Sequence, residues 1–396
     1  MSKLFIPLLV LMVTLGQLAV DLYLPSLPAI AHDFNASQLL TSTTLTVYLF
    51  GFGFSQLIYG PLSDYYGRKK VLIFGLSLFL LASLGCSFSI NIDMFILARL
   101  VQGVGAGAGA VLSRAIIRDT FEGPHISKVI SYMSLSWSLV PILAPLLGGY
   151  IQHYLNWRIS FLVIFTYGII TLVLIQNILS NTNQECLYTE INLKKIIKNY
   201  CDILFDQLFL RGALCAALSY STIIAYESAA PFLIQNSLGF SSVLYGWITL
   251  LVATAYLLGN YTNSKLVIHF GMQTLVMLGF LFFAMGSFLL LIFSLLGFLK
   301  LWAIVVPVYI VFIGLGFIFP NCASAALIPF RKIAGTAGAA LGFVQMVCCS
   351  FVSVVISKCM HFTQLPLAIL FVIIASMLGY ILILQRRALK TAIMLE

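Results

Sequence analysis

With 396 residues, 61% of them hydrophobic and 8% charged, the chain has too few polar side chains to cover a soluble core, which excludes an ordinary soluble domain. Its formal charge of +9 could suit nucleic acid, but the basic residues sit in short loops between apolar runs, and no nucleic-acid partner is expected. Eight cysteines without CxxC or Cys/His spacing, five scattered histidines and no HExxH, GxSxG or nucleotide-loop pattern argue against a metal site and against a membrane enzyme.

A helix needs about 20 apolar residues to cross a bilayer. Twelve runs qualify, near residues 4–30, 40–62, 71–89, 94–116, 128–150, 159–179, 208–235, 242–261, 273–296, 301–325, 336–357 and 365–384. The chain therefore reads as an all-α membrane protein whose surroundings are the lipid bilayer. Loops taken alternately place Arg158, Lys300 and Lys358 on one side and Arg99 inside the fourth run, with the rest of the 21 Lys and Arg on or near the other side. That bias marks the cytoplasmic side, and an even span count puts both termini there. The basic start, Met1 to Lys3, resembles a secretory signal, but the run after it is too long and carries Asp21, so a retained first span is expected.

Asp21 lies in LAVDLYLPSLPAI, residues 18–30. A charge near the middle of a span costs about 2.5–3.5 kcal/mol on insertion scales, so an acid there is a functional-site candidate, here for proton coupling. Gln17, Tyr23, Tyr48 and Gln102 are candidate polar groups of a substrate cavity. After the second run comes GPLSDYYGRKK, residues 60–70, where Gly60 and Gly67 permit close approach and a tight turn while Asp64 and Arg68 add both signs of charge. The fourth run, LARLVQGVGAGAGAVLSR at 97–114, sets Arg99 and Gln102 one turn apart, followed by Gly103, Gly105, Gly107 and Gly109, which let helices approach closely. Arg99 is read either as a partner in coupling or as a side chain snorkelling from the outer end of its span. In the fifth run, SLVPILAPLLGG at 138–149 puts Pro141, Pro145 and Gly149 on one helix face, with Gly148 beside it, and two prolines in register bend a helix.

From Ser180 to about Gln207 the sequence turns polar. Leu193, Ile196, Ile197, Tyr200, Ile203 and Leu204 recur there at helical spacing against Lys194, Lys195 and Lys198, which suits an amphipathic helix on the inner membrane surface. Glu227 is the one acid in the seventh run. The two halves echo each other: PLSDYYGRKKVLIFGL at 61–76 aligns without gaps on KLVIHFGMQTLVMLGF at 265–280, and Gly103 and Gly105 match Gly314 and Gly316 at a different offset. Such repeats point to a transporter with its binding site near the midplane between them.

These segments, with VDLYLPSLP at 20–28, NWRISF at 156–161, SAAPF at 228–232 and AGTAGAALG at 334–342, resemble the major facilitator superfamily along essentially the whole chain. Within it they are most similar to drug/proton antiporters of the bicyclomycin- and chloramphenicol-resistance (Bcr/CflA) type. The resemblance implies the major facilitator fold: twelve transmembrane helices in two pseudo-symmetric six-helix bundles, residues 1–180 and 207–396, joined by a cytoplasmic linker at 181–206. It implies that Gly60, Asp64, Gly67 and Arg68 form a cytoplasmic latch, with Arg68 reaching Asp119 and Asp64 facing the N-terminus of the eleventh span near Gly335 and Thr336, where the helix dipole is positive. It also makes Pro141, Pro145, Gly148 and Gly149 the helix-kink motif of exporters. Glu227 departs from that family, where this position is usually uncharged; it is read either as a second coupling acid opposite Asp21 or as a structural carboxyl, paired with a local hydroxyl or held protonated.

The expected function is proton-coupled export of small amphipathic drugs or metabolites across a bacterial inner membrane by alternating access. In the expected cycle ionised Asp21 accompanies bound drug, and a proton from outside then neutralises it as the drug leaves. Import of a metabolite, nutrient or siderophore on the same fold is the alternative. No cofactor is expected beyond the proton gradient as energy source; the expected partners are a small-molecule substrate and protons, and the expected state is a monomer.

Overall fold

The computed structural model describes residues 4–121, 124–179, 193–359 and 363–395. Residues 181–192 of the expected linker lie outside them. Among the described residues the chain folds into helices α1 (Phe5–Asp21), α2 (Leu27–Asp33), α3 (Gln38–Tyr66), α4 (Arg68–Ser87), α5 (Ile92–Thr120), α6 (Pro124–Tyr154), α7 (Trp157–Ile178), α8 (Leu193–Leu204), α9 (Gln207–Pro231), α10 (Ser242–Leu295), α11 (Leu301–Leu327), α12 (Ala334–Cys359) and α13 (Leu365–Leu395). Side-chain oxygens of Ser37, Asn91, Asn156, Asp206 and Ser241 accept from backbone N–H groups of the helices that follow them, satisfying donors that a helix start leaves unpaired.

Among the described residues eleven helical segments are long and apolar enough to cross a bilayer. One of them, α10, has 54 residues, a length of about 80 Å against a hydrocarbon core of about 30 Å. It breaks at Gly271, whose φ of 75° and ψ of 160° are non-helical, so it supplies two spans and completes twelve. The two runs read separately as 242–261 and 273–296 are thus two helices that meet at a kink at Gly271. Gly67, between α3 and α4, has φ 90° and ψ 145°, the same unusual conformation 204 residues earlier. The gapless alignment of 61–76 on 265–280 is therefore a repeat in backbone geometry as well as in letters.

The glycine match further along needs correction. Gly105 faces the carbonyl of Gly75 and the N–H of Phe79, while Gly314 faces the carbonyl of Gly279 and the N–H of Phe283. Likewise Gly107 lies against Phe52 and Ser55, and Gly316 against Tyr256 and Asn260. Close approach equates Gly105 and Gly107, not Gly103 and Gly105, with Gly314 and Gly316. Counting letters misplaced the register because the run alternates Gly with small residues at every second position and any even shift preserves the pattern.

Buried apolar side chains fall into two clusters, one built mainly from α1–α7 and the other mainly from α8–α13. Two seams join these groups. Along one, α3 packs on α12: Thr46 Oγ1 donates to Ser353 Oγ at 3.0 Å, Ser350 Oγ donates to the carbonyl of Thr46 at 3.2 Å, and Gly53 faces Met346. Along the other, α6 meets α10, where Ser242 Oγ donates to the carbonyl of Gly149 at 3.1 Å and Gly246 lies against the backbone of Pro145 and Leu146. Helix α8 is amphipathic as its spacing requires: Tyr200 and Ile203 are buried, Lys194 and Lys198 exposed. Tyr200 donates its hydroxyl to the carbonyl of Leu57 at 3.2 Å, and burial, helped by the Asp64 carboxylate, pushes its phenol up to about 12.

A Cβ at residue 105 would sit 2.5 Å from the Phe79 nitrogen, so Gly105→Val must force α5 off α4. Overpacking of this kind costs about 1–3 kcal/mol. The variant is expected to melt several degrees below the parent in detergent, whereas Gly85→Ala, whose new methyl meets only an ordinary 3.4 Å contact, is expected to match or exceed it.

Candidate functional site

The first span does not run straight through. Pro25 and Pro28 each lack an N–H, and between α1 and α2 the backbone forms a single 3₁₀ turn over Leu24–Ser26. Asp21 is the last residue of α1 and is completely buried at this break. Gln17, one turn earlier, donates its amide to both carboxylate oxygens, at 3.1 and 3.0 Å. The amide oxygen of Gln17 in turn accepts from the Tyr220 hydroxyl of α9 at 2.8 Å. One hydrogen-bonded chain therefore runs from Asp21 in one half to Tyr220 in the other.

Tyr220 opens on a cavity between the two halves. Its ring stacks on Trp137 of α6, with centroids 5.9 Å apart and planes inclined by 17°. Pro141, from the kink motif, and Gln17 also reach the wall, and α10 contributes Thr249, Val252 and Tyr256 from one helical face. Glu227 lines the same space, seven residues and two turns beyond Tyr220 on α9. It is 5% exposed, and its Oε2 has no hydrogen-bond partner. The charge that acts on it across the interface is that of Asp21. Among the described residues no hydroxyl reaches Oε2, which removes the hydroxyl-paired form of the structural reading but not the protonated one.

Arg99 corrects the snorkelling alternative. It is fully buried, its guanidinium 4.2 Å from the ring centroids of both Tyr23 and Tyr48 and 5.7 Å from that of Phe161. Its NH1 donates to the carbonyl of Ala19 at 3.1 Å and to the Gln102 side-chain oxygen, and Gln102 donates to Ser83 Oγ at 2.8 Å. A desolvated cation between two π faces gains about 2 kcal/mol or more from them. Tyr23, Tyr48 and Gln102 thus surround Arg99 and do not reach the cavity wall, contrary to their reading as cavity groups. The hydroxyls of both tyrosines are engaged, Tyr23 with Thr44 Oγ1 at 3.3 Å and Tyr48 with the carbonyl of Gly16 at 2.7 Å. Arg99 itself contacts Ala19, two residues before Asp21, but neither carboxylate.

The proline–glycine segment of α6 has two neighbours. Gly148 packs on the carbonyl of Leu22 and the ring of Pro25, at the break in the first span, and Gly149 on the backbone of Ser242 and Val243. Close by, Gln235 donates to the carbonyl of Pro25 at 2.9 Å. On the opposite, basic face Arg68 is 8% exposed and pairs with Asp64 within its own turn and with Asp119 at 3.0 Å. Ser63 and Arg118 complete this cluster. Gly60 lies near the Tyr200 hydroxyl, and Gly67 makes the turn that brings Arg68 back towards Asp64. The expected contact of Asp64 with the start of α12 is replaced: Arg118 stands against Gly335 and Arg114 against Gly338, because Arg68 draws Asp64 back into its own loop.

Sequence reasoning missed Trp137, Tyr220, Tyr226, Tyr256 and Phe312. A signal was present, since 220, 223 and 227 on α9 and 249, 252, 253 and 256 on α10 recur at i, i+3, i+4 and i+7. It could not be told from packing in a chain with 31 Phe and 18 Tyr. No group of three His, Cys, Asp or Glu side chains is arranged to hold a metal among the described residues.

Lysine at position 99 would keep the charge but could not fill the slot between Tyr23 and Tyr48 with a plane, nor serve Ala19 and Gln102 together. Arg99→Lys is expected to lower stability by about 1–2 kcal/mol, read as a reduced melting temperature with intact insertion.

The profile describing the Major Facilitator Superfamily matches residues 9–357. Multidrug resistance protein D of Escherichia coli K12 is 29% identical over 341 residues, 85% of this chain and 84% of that protein. A bicyclomycin resistance protein homolog of Haemophilus influenzae is 29% identical over 343 residues, covering 86% and 85%. A solved D-xylose-proton symporter superposes with a TM-score of 0.73 over 95% of this chain and 97% of its own, at 19% identity, and shares the fold. Twelve spans in two repeated halves, a cavity between them and a family profile running from the first span to the eleventh agree: the chain belongs to the Major Facilitator Superfamily.

Proposed function

We propose that the protein is a proton-driven exporter of small amphipathic molecules, set in a bacterial inner membrane with both termini in the cytoplasm. The observation that carries this reading is the hydrogen-bonded chain from Asp21 through Gln17 to Tyr220 on the cavity wall. An ionised carboxylate only accepts, so Gln17 turns its amide nitrogen to Asp21 and its oxygen to Tyr220. A proton on Asp21 makes one of its oxygens a donor. The favoured answer is a rotated amide, with its oxygen towards Asp21 and its nitrogen towards Tyr220, which obliges the Tyr220 hydroxyl to point its proton elsewhere. Protonation at a site sealed from the cavity thereby changes what the cavity wall offers a guest.

Two further observations support the direction and the cycle. The names of the two relatives refer to multidrug and bicyclomycin resistance, and α6, which carries Pro141 and Pro145, closes tightly through its two glycines on α10 and on the broken first span. Arg68, shared between Asp64 and Asp119, ties the turn after α3 to the end of α5 on the cytoplasmic side. Such ties weight one state of a two-state carrier, and a few kcal/mol is enough to bias the equilibrium.

In everted vesicles holding a proton gradient, drug addition is expected to discharge part of the gradient, and Asp21→Asn is expected to reduce that response at least tenfold with normal insertion. An undiminished response in Asp21→Asn would remove Asp21 from coupling. Arg68→Ala is expected to slow turnover several-fold while equilibrium drug binding in detergent stays within about twofold, because the ion cluster lies away from the cavity; an equal loss of binding would refute a role in cycling.

A further inference from the structure

The cavity carries a chemical bias that neither burial nor packing requires. Among the described residues Glu227 is the one charged side chain on its wall, and no Lys, Arg or His lines it. The Oε2 of Glu227 is buried and has no donor, and the Tyr226 hydroxyl beside it is likewise buried without a partner. A carboxylate in that condition is costly unless an opposite charge meets it. Around it the wall is aromatic: Trp137 stacks on Tyr220, Phe312 meets Tyr226 edge-on with centroids 5.6 Å apart, and Tyr256 stands across on α10. Ring faces attract organic cations, and a carboxylate among rings combines charge with stacking surface. A metal ion is a poor fit, since hard cations need several oxygen ligands and the Gln17 oxygen is already taken by Tyr220.

We infer that this cavity is selective for monovalent organic cations of aromatic character, and that Glu227 is the residue that sets the selectivity by pairing with the positive charge of the guest. A neutral guest leaves the carboxylate unpaired, whereas a lipophilic onium supplies the missing charge and lays its rings against Trp137, Tyr220 and Tyr226. Asp21 is held by Gln17 and kept off the wall, so the two acids divide the work: Glu227 faces the guest and Asp21 lies behind it. This inference rests on the reading of the cavity as the transport site.

The test uses two probes of nearly equal shape, methyltriphenylphosphonium and neutral triphenylphosphine oxide, binding to the purified full-length protein in nanodiscs without any gradient. The parent is expected to bind the phosphonium at least tenfold more tightly than the oxide. Glu227→Gln is expected to remove that preference with its melting temperature preserved, and Glu227→Asp to retain part of it. Equal binding of the two probes by the parent, or a preference that survives Glu227→Gln, overturns the inference. Should Glu227→Gln not fold, carbodiimide labelling of Glu227 in the parent protein, read by peptide mass spectrometry, takes its place. Protection by the phosphonium and not by the oxide supports the pairing, and labelling indifferent to the phosphonium overturns it. Phosphonium binding that depends on Glu227 but is never accompanied by proton-driven export would refute the exporter reading and leave the selectivity intact; export of neutral compounds without phosphonium binding would do the reverse.

Discussion

Backbone contact between helices is the constraint on which the rest of this structure depends. Inside hydrocarbon each helix satisfies its own N–H and C=O groups, and lipid chains are as apolar as the side chains they would replace, so helices gain by fitting closely. Here the fit is made by glycine. Helix α5 touches three neighbours in this way: Gly103 and Gly107 face α3, Gly105 faces α4 and Gly109 faces the carbonyl of Met12 in α1. Gly314 and Gly316 of α11 repeat the device in the second half. Each half thus has a helix that can lie close to several others at once, and the cavity is the space left where the two halves meet without such contacts.

Away from the basic face three charges are buried among the described residues, and each is accommodated differently. Asp21 has a neighbouring amide that serves both its oxygens. Arg99 has two ring faces, a carbonyl and an amide oxygen, which suit a flat delocalised cation and also hold the broken end of α1 against α3 and α5. Glu227 lacks a partner at Oε2, and of the three it alone lies on the cavity wall. The order is physically sensible. A group whose partner is protein is fixed in one state, and a group left unpaired at a cavity can take a different partner in each state.

On the basic face, where Arg68 is buried among more exposed charges, the same logic appears. Arg118 and Arg114 stand near the start of α12, where the helix dipole is positive, so that approach is not favoured by their charge. Arg68, bonded to Asp64, Asp119 and Ser63, neutralises two carboxylates close by and ties the loop to α5. Lys69 is more than a surface charge: its ammonium donates to the carbonyls of Gln176 and Leu179, closing the end of α7. A loop rich in charge therefore bonds to two other helices of its own half, and the face can respond as a unit.

The sequence by itself determined the spans, the repeat, the amphipathic α8 and the intramembrane charges, because each is a local property: apolar length, helical period or a charge set among apolar neighbours. It also carried the Arg68–Asp119 pair, through resemblance to a known loop. The tertiary structure decided everything that depends on which helix faces which. Tyr23, Tyr48 and Gln102 share a half with Asp21 and look like cavity groups in the sequence, yet they close on Arg99, whose plane fits between two rings. Trp137, Tyr220 and Tyr256 look like ordinary packing, yet they come from α6, α9 and α10 to line one space. Periodicity tells which residues share a helix face, but the rotation of that face is set by contacts tens to hundreds of residues away, such as Gly149 against Ser242 and Gln17 against Tyr220.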